Sequence, residues 1–129
     1  MTNLTYIMPC FIVANLKISV SFYVDKLGFE VLYMGPDENP YWAGVGRDNI
    51  SIFLKAVAPE IKPIPNHTRH EWAPTDAYIS TAEPEKLFDE YCSNNVSFRK
   101  PLHDNSDYIK GFEVEDADGY VLFFGRPNL

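Results

Sequence analysis

One order of elements is written twice along this chain, with an offset of about 70 residues. Each copy reads strand, helix, three strands. In the first copy Tyr6–Val13 is mostly apolar and reads as a strand. Asn15 is placed to cap a helix, its side-chain oxygen accepting from the first free amides. Val20, Tyr23, Val24 and Leu27 follow at the spacing of one helix face, and Gly28 ends the helix in the left-handed position. Strands are expected at Phe29–Met34, Tyr41–Val45 and Ile50–Lys55, with turns at Gly35-Pro36 and Gly46-Arg47-Asp48-Asn49.

The second copy opens with a strand at Asp76–Ser80. Pro84 suits the first turn of a helix whose apolar face is Leu87, Phe88 and Tyr91, and Asn94-Asn95 stops it. Strands follow near Val96–Lys100, Gly111–Glu115 and Val121–Arg126. Between the copies, Ala56–Pro74 carries Pro59, Pro63, Pro65 and Pro74, a density that excludes a regular helix or a central strand. It is read as a linker or lid. Module one spans about 5–57, the linker about 58–74 and module two about 75–127, all within one domain. A ferredoxin-like sandwich accounts for the element count almost as well, but the repeated helix-then-three-strands order favours paired βαβββ units.

Composition narrows the function classes. Hydrophobic residues make up 46% of the 129-residue chain and aromatics 15%, enough for a core with aromatic surface left for a pocket or interface. The net charge of −7, with no cluster of Lys and Arg among aromatics, argues against nucleic acid as a partner. No apolar run is long enough to span a bilayer, and no basic stretch precedes an apolar one at the N-terminus. A cytoplasmic protein without a membrane partner is expected. Cys10 and Cys92 have no metal or redox spacing and are expected as buried, reduced thiols.

Two segments carry a family resemblance. Glu113–Phe124 is a strand, an acidic turn closing on Asp118-Gly119, and an apolar strand. Ser21–Val31 runs out of the first helix through Leu27-Gly28-Phe29 into a strand. In this order the pair resembles the vicinal oxygen chelate superfamily, which contains glyoxalase I, extradiol dioxygenases and bleomycin resistance proteins; the likeness runs from about Tyr6 to Arg126. It implies an α+β fold in which two βαβββ modules form a partly open mixed-sheet barrel, with helices on the outer face and ligands on the concave one.

Strand alternation then sorts the side chains. Ile7, Pro9, Phe11 and Val13 go to the core, and Met8, Cys10 and Ile12 to the concavity. Ile50, Ile52 and Leu54 face the helix, while Ser51, Phe53 and Lys55 face inward. Asp76, Tyr78 and Ser80 line the concavity from the fifth strand, and Val121 and Phe123 from the last. Tyr120, Leu122 and Phe124 go beneath the second helix. The resemblance places the family's metal ligands at Met8, Phe53, Asp76 and Phe123. Only Asp76 suits a hard or borderline cation, so no metal, cofactor or catalytic residue is assigned. His67 and His70 lie in the proline-rich loop and read as solvated.

Aromatic residues are the positive signal. Phe53, Tyr78 and Phe123 are expected inside the concavity, edged by Trp42, Trp72, Tyr108 and Phe112, with His103 at the rim. Trp72 is expected to fold onto the pocket mouth or a partner chain. Asp76 is the candidate anchor for a ligand amine, against a protein partner such as Arg99, Lys100 or a backbone amide. The ligand-contacting set is therefore Met8, Cys10, Trp42, Ser51, Phe53, Trp72, Asp76, Tyr78, His103, Tyr108, Phe112 and Phe123. The reading is a metal-independent, homodimeric small-molecule binder in the style of bleomycin resistance proteins, sequestering a bulky aromatic or cationic compound. One alternative is a metal-dependent lyase, isomerase or dioxygenase with a site moved to His67, His70 and Asp76. The other is a regulatory or scaffold module with a vestigial pocket.

Overall fold

The computed structural model describes residues 1–105 and 109–128. The strands are β1 (Cys10–Ile12), β2 (Glu30–Gly35), β3 (Trp42–Arg47), β4 (Ile50–Lys55), β5 (Ala77–Ser80), β6 (Phe98–Asn105), β7 (Ile109–Glu115) and β8 (Val121–Pro127). The helices are α1 (Leu16–Ser21), which continues into a π-helical turn over Phe22–Lys26, and α2 (Pro84–Ser93). Two four-stranded mixed sheets result, ordered β1-β4-β3-β2 and β5-β8-β7-β6. In each, the first strand runs parallel to the fourth and the rest are antiparallel. This is the βαβββ unit twice, and the sheets do not close into a barrel.

Local chemistry explains the boundaries. Asn15 caps α1, its side-chain oxygen accepting from the Ile18 amide at 3.0 Å. Gly28 adopts φ +74° after the π turn. Pro84 opens α2 where a missing N–H costs nothing. β1 is shorter than the expected Tyr6–Val13 because Pro9 has no N–H to donate, so the ladder upstream stops there. Ile7, expected in the core, is accordingly 87% exposed. β6 runs further than expected, through Pro101, which an edge strand tolerates.

The helix-bearing faces of both sheets meet in one core. Phe11, Val13, Leu16, Tyr23 and Leu27 of module one are buried with Tyr91, Phe112, Leu122 and Phe124 of module two. Polar bonds cross the seam. The Arg47 guanidinium donates twice to the Glu90 carboxylate at 2.7 and 2.8 Å and once to the Leu27 carbonyl. The Tyr91 hydroxyl donates to that same carbonyl at 3.0 Å. At the other end, the Tyr23 hydroxyl donates to buried Asp116 at 2.6 Å, and Asp118 accepts from the Ala14 amide. Tyr120 serves this seam rather than the underside of α2. It stacks on Phe11 at 4.3 Å and donates to the Ile12 carbonyl.

Candidate functional site

The opposite faces of the sheets are open, and cross-strand register lays out what they present. In module one Cys10, Phe53, Gly44 and Tyr33 form one row across four strands. In module two the matching row is Tyr78, Phe123, Glu113 and Lys100. Phe53 and Phe123 hold the same place in the two units. The repeat read from sequence is thus also a repeat of positions on the open face.

Glycines let aromatic rings lie flat on both sheets. A Cβ on Gly44 would sit 2.5 Å from the Tyr33 ring, and one on Gly125 would sit 2.6 Å from the Phe123 ring. Without those methyls, Tyr33, Trp42 and Phe53 cluster with centroids 6.2–6.4 Å apart, Trp42 and Phe53 nearly parallel at 20°. The Tyr33 hydroxyl reaches the Met8 sulfur at 3.2 Å. In module two Tyr78 stacks on Phe123 at 5.2 Å and 19°. A register shift in β2 between Val31 and Tyr33, and one in β6 between Phe98 and Lys100, recur at matching places. Such bulges set two successive side chains toward one face. Leu32 and Tyr33 both lie against that face in module one, beside Gly46 and Gly44. In module two Arg99 and Lys100 both reach Glu113.

The residues proposed from sequence divide. Met8, Cys10, Trp42, Ser51 and Phe53 stand on the open face of module one; Met8 and Ser51 border a hollow of about 310 Å³ with Tyr6, Leu32 and Tyr33. Tyr78 and Phe123 stand on the open-face side of module two, Tyr78 half-exposed and Phe123 buried. His103, opposite Gly111 on the edge strand, flanks them. Phe112 does not belong there. It is fully buried among Phe88, Tyr91, Phe98 and Phe124, because alternation along β7 sends Phe112 and Val114 to the core and Glu113 to the open face. Trp72 is 85% exposed and, among the described residues, its one ring contact is with the edge of His70. Tyr108 lies outside the described residues. Both cysteines are exposed, contrary to expectation, since Cys10 faces the opposite way from buried Phe11 and Cys92 follows buried Tyr91 on α2.

Asp76 is a structural clip. One oxygen accepts from the Asn66 amide at 2.9 Å and the other from the Val121 amide at 2.8 Å. With the bond from the Asn66 side chain to the Thr75 carbonyl, this closes the neck of the loop that carries Trp72. Of the partners weighed from sequence, the backbone amide is the one found.

The family's metal-binding positions do not fit a metal here. Met8 offers a thioether already engaged by Tyr33, Phe53 and Phe123 offer no donor, and both Asp76 oxygens are taken. The residues of the relocated site are engaged elsewhere. The His67 Nε2 lies 2.9 Å from the Gly119 carbonyl, and the His70 Nδ1 accepts from the Trp72 amide. Among the described residues no group of three His, Cys, Asp or Glu is placed to hold an ion.

Sequence reasoning missed the polar part of module two's open face. Glu113 is 6% exposed and receives the Arg99 guanidinium at 2.6 Å, with the Lys100 ammonium at 3.8 Å. Glu115, two residues on, has Arg99 at 3.8 Å and the His67 ring at 3.9 Å. The alternation Glu113, Glu115 beside Phe112, Val114 was the available signal. A cavity of about 470 Å³ lies elsewhere, in the groove between modules beside Arg47, Glu90 and Lys86. The bidentate Arg47–Glu90 pair spans it and no stacked aromatic pair lines it, so the open sheet faces remain the better candidate.

Paired βαβββ units that share a helix-side core and leave their other sheet faces free define a class of α+β proteins. The family model for the Glyoxalase/Bleomycin resistance protein/Dioxygenase superfamily matches residues 4–124, and the chain belongs to that superfamily. Solved structures share its fold. TioX from Micromonospora sp. ML1 is 14% identical with a TM-score of 0.74, over 95% of this chain and 98% of that one. The bleomycin-binding protein of bleomycin-producing Streptomyces verticillus, solved with copper(II)-bleomycin, is 22% identical with a TM-score of 0.67, over 98% of both chains. TnmS3, an antibiotic binding protein from Streptomyces sp. CB03234, is 18% identical with a TM-score of 0.68, over 98% of this chain and 99% of that one. No curated protein matches the chain in sequence.

Proposed function

We propose that this protein is a metal-independent, homodimeric, cytoplasmic binder that sequesters a bulky aromatic or cationic small molecule. The observation that carries the reading is the pair of glycine-floored aromatic platforms, Tyr33/Trp42/Phe53 and Tyr78/Phe123. Rings lying flat on a sheet serve stacking, worth about 0.5–1.5 kcal/mol per pair beyond area burial. Structural neighbours that bind bleomycin and other antibiotics support the same reading.

Each platform by itself is one wall. The helix-bearing faces of the chain share the core, so its open faces are left without a cover, and Leu32, Tyr33, Met34 and Tyr78 are 42–51% exposed. A second copy supplies the missing wall when module one of one chain faces module two of the other. The exposed free thiols suit a reducing compartment.

Mass spectrometry of small molecules co-purifying with native protein, together with Phe123→Ala, tests the function. An aromatic compound is expected with wild type and is expected to be depleted about tenfold or more in the variant. Protein that carries no compound, shows no affinity in a screen of aromatic ligands and contains one removable divalent ion per chain would overturn the reading.

A further inference from the structure

The open face of module two holds a charge arrangement that decides which aromatic it accepts. Glu113 lies in the same row as Phe123 and Tyr78. Tyr78 is 51% exposed and Phe123 only 7%, so a molecule stacked on Tyr78 extends along that row over Phe123 toward the cations that hold Glu113. Its side chain is only 8% exposed. A carboxylate so buried is costly unless a cation holds it. Arg99 does so at 2.6 Å, and its other flank is 3.8 Å from Glu115. Lys100 stands 3.8 Å from Glu113. Two cations and two carboxylates therefore cancel on this face.

A guanidinium has five N–H donors. Among the described residues, one hydrogen bond from Arg99 is made, to Glu113, and the contact to Glu115 is too long to be another. Its side chain is 27% exposed, so donors remain for a ligand. An anionic ligand that drew Arg99 away would strand Glu113 as a buried, uncompensated charge. A cationic ligand would have to displace Arg99 to reach Glu113. An uncharged ligand with a hydrogen-bond acceptor uses the spare donors and leaves the ion pair whole.

We infer that the Arg99–Glu113 pair is the specificity determinant of the module-two face, and that it selects uncharged, flat aromatic molecules bearing a carbonyl-type acceptor. This rests on the reading of the open faces as a ligand site, and narrows it from aromatic or cationic compounds to neutral ones. Arg99 and Glu113 act here as ligand-selecting groups, Arg99 by direct donation and Glu113 by holding Arg99's charge.

The test is isothermal titration calorimetry with three tricyclic probes: acridone, which is neutral with a carbonyl; anthracene-9-carboxylate, an anion; and 9-aminoacridine, a cation at neutral pH. Wild type is expected to take acridone tightest. Glu113→Gln keeps an acceptor for Arg99 but removes the charge that balances it. It is expected to raise anthracene-9-carboxylate affinity about tenfold or more, with acridone changed less than about threefold. Glu60→Gln, on the exposed linker, makes the same change in net charge and is expected to leave the preference alone. Arg99→Gln is expected to weaken acridone and strengthen 9-aminoacridine about tenfold, against Lys17→Gln on the exposed side of α1; it stands as the independent arm if Glu113→Gln does not fold by circular dichroism. Charge preferences that move no further in the site variants than in their controls overturn this inference and leave the ligand site standing. Absence of binding of all three probes by wild type and every variant overturns the site itself, and the inference with it.

Discussion

Asp116 shows how one side chain ties the modules together and sets a pH response. Burial pushes its carboxyl up to about 6, while the Tyr23 hydroxyl and the amides of Asp118 and Tyr120 pull the other way by donating to it. Folded, it holds a proton more tightly than the ordinary value of 3.8. Its contribution to stability is therefore fullest below about pH 4, is lost as pH rises to about 6, and is flat above that. The shift of about two units corresponds to about 3 kcal/mol. Asp116→Asn preserves an acceptor for the amides and a partner for Tyr23. Its melting temperature is expected to exceed wild type at pH 7 and to converge on it near pH 4. Scanning calorimetry across that range checks this, and a difference that does not depend on pH would contradict it. Asp76 carries the converse lesson. Sequence placed an acid in the concavity and left open whether a ligand amine, Arg99, Lys100 or a backbone amide pairs with it, while the fold supplies two amides from segments 10 and 45 residues away.

At the scale of the strand, the glycines decide which rings can lie flat. The three atoms nearest a methyl on Gly44 all belong to the Tyr33 side chain, which is exposed and can swing aside. A methyl on Gly125 meets the Lys110 carbonyl of the neighbouring strand at 2.5 Å as well as the Phe123 ring. Gly125→Ala must move backbone and is expected to cost about 1–3 kcal/mol, the range for overpacking a filled site. Gly44→Ala is expected to cost well under that while disordering the Tyr33/Trp42/Phe53 platform. Urea denaturation of both variants ranks them, and equal losses would mean the sheets give way more easily than their packing implies. The π turn after α1 also belongs to this scale. Periodicity found the helix face, on which Tyr23 and Leu27 are buried and Val20 and Val24 partly so, but spacing alone does not register the switch from α to π winding.

For the whole molecule, the consequence of back-to-back modules is unpartnered apolar surface on both open faces. The monomer mass is 14.8 kDa. Light scattering at micromolar concentration is expected to give about 30 kDa, twice that mass, as closed two-fold pairing requires. Trp72, at the tip of the loop clipped by Asp76, is expected to shift its emission to shorter wavelength as the dimer forms in a Trp42→Phe variant. A mass near that of one chain at every concentration would leave the open faces without their second wall. No described helix is long and apolar enough to cross a membrane.

What the sequence determined by itself was most of what depends on neighbours along the chain. Period-two alternation set Phe53 and Phe123 apart from Leu54 and Phe124. Helix spacing, the Asn15 cap, Pro84 and the doubled βαβββ order fixed the elements and the family likeness. What needed the tertiary structure was every property set by a group distant in sequence. Alternation along β7 already put Phe112 on the core side, but that Phe88, Tyr91, Phe98 and Phe124 close around it is a tertiary fact. Tyr120 leaves α2 for Phe11, more than a hundred residues away in the chain. Glu113 is a selecting group because a bulge in β6 turns Arg99 onto its face. Alternation tells which side of a strand a residue takes. Charge pairing, burial and stacking depend on what the fold brings to that side, and that is settled only when distant strands come into register.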